Sequence, residues 1–526
     1  MRPTMLFNSV EFLFYFLPLT LILFFTIAAR YGKEPAIALL VVASLFFYGW
    51  WNPIYLILLV GSMFFNYFLG QAISDSRHNR ILLTFGVITN LGFLAYYKYA
   101  GFFVTNINVL FDTSWNFGHV FLPLAISFFT FQQIAYLVDS YKGITREYSF
   151  LHYLLFVSFF PQLIAGPIVH HKEMLPQFSG AGTYRFNARH FSIGLSIFAI
   201  GLFKKTVLAD GIAEYANPIF TAADGGQTLD FFTAWGGALC YTFQLYFDFS
   251  GYSDMAIGLA RMFGIVLPLN FYSPYKAANI SEFWRRWHMT LSRFLRDYIY
   301  IPLGGNRKGI VHRYKNLFIT MLLGGLWHGA GWNFIIWGAL HGGYLTLHQL
   351  WLRLLDMLGF SGRQSSAYKA FAWLVTFISV VIGWVFFRAT TFEGAVNLLQ
   401  SMLGFNGLSL PNAIYVRLGS IEDILQFFNI TSNTQGGAAF VSTWCWILLL
   451  TTVSLCLPTT QDIFSRVTNS LDNKSFDTTD AVWPAFAMTK RWVWSPTTRW
   501  ALLCAMAFVL GLITLGQVSE FLYFQF

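Results

Sequence analysis

The chain has 526 residues, of which 56% are hydrophobic and 11% are charged, and its formal net charge is +9. Soluble domains carry about 25% charged residues, so this composition, with a mean hydropathy of +0.54, excludes one large soluble core. Apolar segments recur at lengths near the roughly 20 residues that cross a bilayer. We therefore predict an all-α membrane protein of one domain, residues 1–526, with about eleven spans plus re-entrant and interfacial helices.

The first part of the chain is predicted to be a series of membrane helices. The apolar run over residues 12–29 is too long and too aromatic for a cleavable signal, so we expect a retained first span. The sequence WWNP at residues 50–53 predicts an interfacial turn within residues 36–60, because aromatic residues favour that depth. Further apolar segments cover residues 62–73, 81–97, 117–138 and 191–207.

A broken helix is predicted over residues 151–169, where Pro161, Gly166 and Pro167 interrupt an apolar segment. Irregular backbone at membrane depth is tolerated only where it is buried in protein or lines a cavity. The segment therefore predicts an internal cavity. We interpret the adjacent pair His170–His171 as interfacial residues.

Two carboxylates follow the predicted span at residues 231–247 in otherwise apolar sequence. A carboxylate at membrane depth is unfavourable unless it is paired or hydrated. Asp248 and Asp254 are therefore expected to line a polar cavity or to lie at an interface. We favour structural pairing, with Arg261 or the arginines downstream, over catalysis, and keep Asp248 as a candidate substrate-binding residue.

The densest basic cluster, residues 276–315, holds nine Lys and Arg and two acids, a net charge of +7. Because membrane segments flank it, the positive-inside rule predicts a cytoplasmic loop rather than a nucleic-acid surface. Within the cluster, Ser281 is a plausible N-cap, and Asn279 with Glu282 resembles a capping box; both predict the start of one amphipathic interfacial helix, which ends before Pro302. His288 lies on the apolar side of that helix.

The chain is predicted to re-enter the bilayer after the basic cluster. As a helix, residues 316–326 rise about 15 Å, which is near the midplane of a hydrocarbon core about 30 Å thick. Two glycines in the sequence WHGAG at residues 327–331 then predict a helix break at mid-depth, and residues 333–348 continue as a helix. This places His328 at a broken helix inside the membrane.

The C-terminal part alternates apolar and polar segments. Further helices are predicted over residues 373–387, 395–403, 438–457 and 501–515. The polar loop at residues 404–437 is assigned to the outside, and the polar loop at residues 458–499 is weakly cytoplasmic by its charge.

His328 and His288 are the candidate catalytic residues. An imidazole kept from water stays neutral and can accept a proton, as a general base for acyl transfer to a hydroxyl requires. The alternative for His328 is a structural hydrogen bond to a backbone carbonyl. His341 and His348, seven residues apart on one helical face, are interpreted as packing or interfacial residues. A metal site of His288, His328 and His341 is disfavoured, because no carboxylate or thiolate lies at close spacing.

Seven longer segments carry a family resemblance over nearly the whole chain. They are MLFNSVEFLFYFLP at residues 5–18, SFFTFQQIAYLVDSY at 127–141, FPQLIAGPI at 160–168, QLYFDFSGYSDMAIGLARMFGI at 244–265, FWRRWHMTLSRFLRDYIYIPLGGNR at 283–307, GGLWHGAGWNFIIWGALHG at 324–342 and EFLYFQF at 520–526. Together they resemble the membrane-bound O-acyltransferase family. The resemblance is strongest to the bacterial branch that includes the membrane acetyltransferase of alginate biosynthesis.

The resemblance implies a multi-helix bundle in which a funnel from the outer face meets a tunnel from the cytosol at His328. It implies that His328 is the family's invariant histidine and that His288 is its second polar residue. It also implies a bacterial inner-membrane enzyme that passes an acyl group from a cytosolic thioester to an extracytoplasmic polysaccharide, often through a separate periplasmic acetyltransferase.

We therefore expect an O-acetyltransferase in which His328 is the base and His288 orients it or polarises the thioester. Acetyl-CoA is the expected donor, and we expect no tightly bound cofactor, no metal and no nucleic-acid partner; the surrounding partner is membrane lipid. The candidate substrate-binding residues are Trp327, Asn333, Arg285, Arg286 and Asp248, with the arginines attracting the donor's phosphates.

Two alternatives remain open at this point. One is an exporter of polysaccharide or lipid-linked sugar without chemistry, with Asp248 and Asp254 as coupling sites. The other is a lipid or protein acyltransferase of the same family.

Overall fold

The computed structural model describes residues 5–76, 78–116, 118, 120–145, 149–434, 436–467, 492–516 and 522. The N-terminal helices are α1 (Leu17–Tyr31), α2 (Lys33–Gly49), α3 (Ile54–Asp75), α4 (Asn79–Leu94), α5 (Ala100–Phe111) and α6 (Ile126–Tyr141). The interfacial turn lies at residues 50–53 as predicted, where Asn52 Oδ1 accepts a hydrogen bond from the Ile54 N–H at 3.1 Å.

The predicted helix break at residues 151–169 is confirmed. The segment forms α7 (Phe150–Ser158), a short α8 (Phe160–Leu163) and an irregular run that leads into α9 (His171–Ser179). Every residue from 155 to 171 is buried, which is the setting that irregular backbone requires inside a membrane protein.

A seam of glycines joins the next helices, α10 (Ala188–Phe203), α11 (Asp210–Asp224) and α12 (Phe231–Met262). A Cβ added at Gly201 would lie 2.7 Å from the Gly251 carbonyl oxygen, and one at Gly258 would lie 2.6 Å from the Gly194 carbonyl oxygen. Small residues of this kind let membrane helices approach backbone to backbone. The seam sets the register of α10 against α12.

The basic cluster does not form the single amphipathic helix that the periodicity predicts. Instead α13 (Ile280–Arg286) ends before His288, and α14 (Met289–Leu295) begins after it. The reason is the backbone of His288, whose φ of 42° lies in the left-handed region and cannot continue a right-handed helix. Asn279 caps α13 as expected, accepting from the Glu282 N–H at 2.9 Å.

Helices α15 (Ile310–His328) and α16 (Trp332–Met357) form an antiparallel hairpin, so the break after His328 is confirmed. A Cβ at Gly338 would lie 2.6 Å from the Met321 carbonyl oxygen, and one at Gly342 would lie 3.1 Å from the Phe318 Cα. The two legs therefore pack closely, and His328 stands at the tip.

The remaining elements are α17 (Ser366–Arg388), α18 (Phe392–Met402), α19 (Asn412–Tyr415), α20 (Glu422–Phe427), α21 (Gly437–Cys456), α22 (Thr460–Phe464) and α23 (Thr498–Ile513). The polar loop at residues 404–437 contains two short strands, β1 (Leu408–Pro411) and β2 (Ile430–Asn433), which pair in parallel. The all-α expectation missed them. Most of the loop at 458–499 and of the EFLYFQF end lies outside the described residues.

Seven helices among the described residues are long and apolar enough to cross a membrane. They cover Phe12–Tyr31, Ile54–Asp75, Asn79–Phe111, Ala188–Asp224, Ser366–Arg388, Gly437–Phe464 and Thr498–Gly516. The expected count of about eleven is thus not confirmed. Helices α12, α15 and α16 have the length but not the apolar composition, and all three lie at the candidate site.

Candidate active site

The tip of the α15–α16 hairpin positions His328. Helix α15 ends at this residue, Gly329 and Gly331 are extended, and α16 begins at Trp332. A Cβ at position 329 would overlap the Phe334 ring, so any larger residue there would have to displace that ring. The local sequence thus forces the chain to reverse directly after the histidine.

The His328 imidazole is buried among aromatic rings. Its ring centroid lies 4.8 Å from Trp327, 5.1 Å from Trp337 and 5.1 Å from Phe387. His288 lies 6.4 Å away, so the structure brings the two candidate catalytic histidines together. Because its neighbours are apolar faces, the side chain is kept from bulk water.

Asn270 fixes the orientation of the His288 ring. Its Nδ1 lies 3.1 Å from Asn270 Oδ1, which also accepts from the Thr290 hydroxyl at 2.9 Å. Asn270 Nδ2 donates to Ser253 Oγ of α12 at 3.2 Å, so its amide oxygen faces the histidine. An amide oxygen only accepts, and His288 Nδ1 therefore carries the proton. Its Nε2 is then the acceptor nitrogen.

Lys98 is a site residue that the sequence reasoning missed. Its ammonium donates to the Trp327 carbonyl at 2.5 Å, to the His328 carbonyl at 3.0 Å and to Ser127 Oγ at 3.4 Å. A cation at a helix C-terminus satisfies free carbonyls and opposes the helix dipole. Lys98 thus fixes the end of α15. The available signal was a lysine directly after the predicted span at residues 81–97, in otherwise apolar sequence.

The other candidate substrate-binding residues have different surroundings. Trp327 lies in the ring cluster, and Asn333 Nδ2 donates to the Ala389 and Thr391 carbonyls at 2.8 and 3.0 Å. Arg285 is exposed. Arg286 is buried and ion-paired with Glu282 at 2.8 Å. Substrate binding by any of these side chains remains a prediction.

The two membrane carboxylates pair with lysines rather than with Arg261. Lys205 Nζ lies 2.6 Å from Asp248 and 2.7 Å from Asp210, and all three side chains are buried. Lys204 contacts Asp254 at 2.6 Å. Structural pairing was therefore predicted correctly but with the wrong partners. The substrate-binding role of Asp248 is untested and has this ion pair beside it.

A second hydrogen-bonded group lies outside the seven apolar helices. The Tyr298 hydroxyl donates to Asp139 at 3.0 Å and accepts from His170 Nδ1 at 3.0 Å. Burial and the nearby Arg293 lower the pKa of His170 to about 4. Burial raises the pKa of Asp139, although the Tyr298 hydrogen bond opposes this shift. His170, Tyr298 and Asp139 thus form a further hydrogen-bonded group, separate from His328 and from the Lys205 ion pairs.

No set of three His, Cys, Asp or Glu side chains that could hold a metal ion is found among the described residues. His341 is close to the site but faces aromatic rings, with Trp337 4.7 Å and Trp284 5.2 Å from its ring centroid. Neutral imidazoles such as those of His328 and His288 are able to transfer protons.

The sequence matches a known protein family and is similar to several named proteins. The family model of MBOAT, the membrane-bound O-acyltransferase family, matches residues 140–387. A peptidoglycan O-acetyltransferase of Helicobacter pylori is 43% identical over 99% of this chain and 98% of its own. A probable alginate O-acetylase of Pseudomonas aeruginosa is 43% identical over 80% of this chain and 78% of its own. A teichoic acid D-alanyltransferase of Bacillus subtilis is 31% identical over 43% of this chain and 58% of its own.

Proposed function

Because this chain belongs to the membrane-bound O-acyltransferase family, we propose that it moves an acetyl group from cytosolic acetyl-CoA through the bacterial inner membrane, for O-acetylation of a polysaccharide outside it. The chain is a multi-pass membrane enzyme of the acyltransferase class. One observation carries the proposal: His328 is buried at the tip of a broken helix, with a second histidine 6.4 Å away.

The chemistry assigned to His328 is general-base catalysis. A neutral imidazole takes the proton of an acceptor hydroxyl as the hydroxyl oxygen attacks the thioester carbonyl carbon. The carbon–sulfur bond then breaks, and the proton passes to the leaving thiolate. The hairpin fixes the base at one point, which lowers the entropy that must be lost to align it with the reacting atoms.

The tautomer of His288 favours one of its two expected roles. With Nδ1 donating to Asn270, the neutral side chain has only an acceptor at Nε2. An acceptor cannot polarise a thioester carbonyl, which needs a donor. It can receive a hydrogen bond from His328 or from the acceptor hydroxyl. We therefore assign His288 to orienting the base and its proton.

Peptidoglycan is the favoured acceptor. The relative named for peptidoglycan is matched over 99% of this chain, whereas the relative named for alginate is matched over 80% at the same identity. Alginate or another exopolysaccharide is the competing acceptor. Final transfer by a separate periplasmic acetyltransferase is part of the proposal.

The family assignment argues against one of the two earlier alternatives, the exporter, whereas a lipid or protein acyltransferase of the same family stays open. An exporter without chemistry does not fit an acyltransferase family, and Asp248 and Asp254, the coupling sites of that alternative, are each paired with a lysine. Of the two candidate arginines, Arg285 is exposed and can attract the phosphates of the acetyl-CoA donor, whereas Arg286 is buried and ion-paired with Glu282.

The test is acetate on isolated polymers from cells that carry His328→Ala in place of the wild-type protein. The variant is expected to abolish acetylation of peptidoglycan and to leave the protein in the membrane at its normal level. His348→Ala is the matched control, since this half-buried histidine lies two turns beyond His341 on the same helix. Unchanged acetate in the His328→Ala strain would refute the role of this residue, and acetate found on exopolysaccharide alone would refute the acceptor.

A further inference from the structure

Next to His328 lies a pair of buried N–H groups that the mechanism above leaves unused. His341 Nε2 and Trp337 Nε1 are both buried, and neither has a hydrogen-bond partner among the described residues. Buried donors are nearly always satisfied, so each such group calls for an explanation. Both belong to α16, the second leg of the hairpin.

The protonation of His341 is fixed by its other nitrogen. Trp284 Nε1 lies 3.2 Å from His341 Nδ1. An indole N–H only donates, so Nδ1 must accept and the proton of the neutral ring lies on Nε2. His341 Nε2 is thus an N–H donor like Trp337 Nε1.

The two donors converge at Gly383 of α17. A methyl group built on Gly383 would lie 2.9 Å from His341 Nε2 and 3.6 Å from Trp337 Nε1. Both donor nitrogens therefore lie side by side against the backbone of Gly383, where a single oxygen atom of a ligand could accept from both. Any larger residue at position 383 would block it.

This position lies beside the proposed base. The Trp337 ring is 5.1 Å from His328, and Phe387, one turn after Gly383, is also 5.1 Å from His328. One helical turn spans about 5.4 Å. Trp337 thus contacts His328 on one side and carries one of the two donors on the other, which brings the pair of N–H groups next to the proposed base.

We propose that His341 Nε2 and Trp337 Nε1 bind the carbonyl oxygen of the acyl thioester and stabilise the negative charge that it gains when the acceptor hydroxyl attacks. This inference rests on the proposed function and adds the group that binds the donor. The position suits a donor from the cytosol, because His341 is nine residues into α16, about 13 Å back toward the end of the hairpin that carries the basic loop.

Three variants of the full-length protein test the site. His341→Phe removes the N–H and keeps a ring, whereas His341→Gln keeps an N–H donor. Gly383→Ala places a methyl group in front of both donors. Removing one donor to a developing oxyanion lowers kcat by about 10²-fold or more. We expect that loss for His341→Phe and Gly383→Ala, and a smaller loss for His341→Gln. His348→Phe is the matched control and is expected to keep wild-type activity.

Inhibition by two CoA analogues separates carbonyl binding from a structural effect. The first is the dethia ketone analogue of acetyl-CoA, in which CH₂ replaces sulfur and the carbonyl remains; the second is S-ethyl-CoA, which lacks the carbonyl. Wild-type protein purified in detergent is expected to bind the ketone about tenfold more tightly, as two net hydrogen bonds allow. His341→Phe is expected to bind both analogues equally.

The outcomes are distinct. Wild-type acetate levels in both His341→Phe and Gly383→Ala would overturn the carbonyl site, and so would a preference for the ketone that His341→Phe leaves unchanged. Should wild-type protein itself transfer no acetate and bind neither analogue, the proposed function fails and this inference with it. Membrane abundance of each variant shows whether a loss of activity comes from a loss of folded protein.

Discussion

Two buried polar centres in this protein are built in opposite ways. Around Lys205, two carboxylates and one ammonium contact each other at 2.6 and 2.7 Å. Around His328, aromatic rings surround neutral imidazoles, and the nearby cation, Lys98, is directed at backbone carbonyls. The first centre satisfies its charges within the fold. The second places two neutral imidazoles, His288 and His328, beside the helix break at the end of α15. The comparison teaches that one centre is held together by ion pairs between buried charges, whereas the other places neutral imidazoles among aromatic rings at a helix break.

The largest effect is expected from breaking the ion-paired centre. Lys205→Met leaves Asp210 and Asp248 buried without their cation, and loss of one partner of a buried pair costs about 3–5 kcal/mol. We expect little folded protein in the membrane, measured by size-exclusion chromatography of detergent extracts. The exposed Lys33→Met is the control. Adding Asp248→Asn to Lys205→Met is expected to restore part of the yield, and no restoration would contradict the charge argument.

The next effect is on chemistry alone. His288→Asn keeps a donor at the position of Nδ1 and suits the left-handed backbone, since asparagine tolerates that conformation. It removes Nε2. We expect normal folded protein and a loss of polymer acetylation of about 10²-fold, the lower range for general acid–base groups. Full activity of His288→Asn would show that His288 takes no part in proton transfer and only shapes the backbone before α14.

A smaller effect is expected at Lys98, where support of the site can be separated from charge. Lys98→Met leaves the Trp327 and His328 carbonyls without the Lys98 donor, so the end of α15 is held less firmly. We expect acetylation activity to fall about tenfold, which is the upper range for the net free energy of one hydrogen bond. Lys98→Gln retains a neutral donor. If both variants lose activity equally, the positive charge matters rather than the hydrogen bonds. Acetate per unit of membrane-inserted protein is the measurement.

The smallest effect concerns His170, outside the apolar helices. Its folded pKa of about 4 lies below the ordinary value of 6.5, so the unfolded chain binds more protons between these values. Its contribution to stability is therefore present above pH 6.5 and is lost as the pH falls toward 4. The Tm of wild-type protein is expected to fall more steeply over this window than that of His170→Gln. Parallel Tm curves would contradict the assignment.

Local signals predicted the hairpin tip but not the conformation of His288. The glycines at 329 and 331 interrupt an apolar helix, and a break can be predicted from them alone. In the basic cluster the helical period continues through Trp284, His288 and Leu291, and all three are buried as predicted. The break between α13 and α14 coincides with bonds from Asn270, eighteen residues earlier. The helical spacing of apolar residues cannot predict a hydrogen bond between His288 and Asn270.

The missed contacts share one physical cause, which is distance along the chain. Lys98 reaches carbonyls 229 and 230 residues away. The sequence shows a charge in an apolar segment but not its target. Likewise, the pairing of Asp254 with Lys204 rather than with Arg261 follows from how the Gly201–Gly251 contact sets α10 against α12. Charge identifies residues that need partners, and packing decides which partners they receive.

The order of the charges along the chain has a consequence for biogenesis. Lys205 and Asp210 are five residues apart and meet within one continuous helical segment, whereas Asp248 comes 38 residues later. A lysine or aspartate entering the bilayer alone opposes insertion by about 2.5–3.5 kcal/mol. The early pair therefore neutralises Lys205 before α12 is made, whereas Lys204 receives its partner, Asp254, only from α12. Asp248 then brings a second negative charge to an ammonium already in place, which couples the insertion of α12 to its docking on α10.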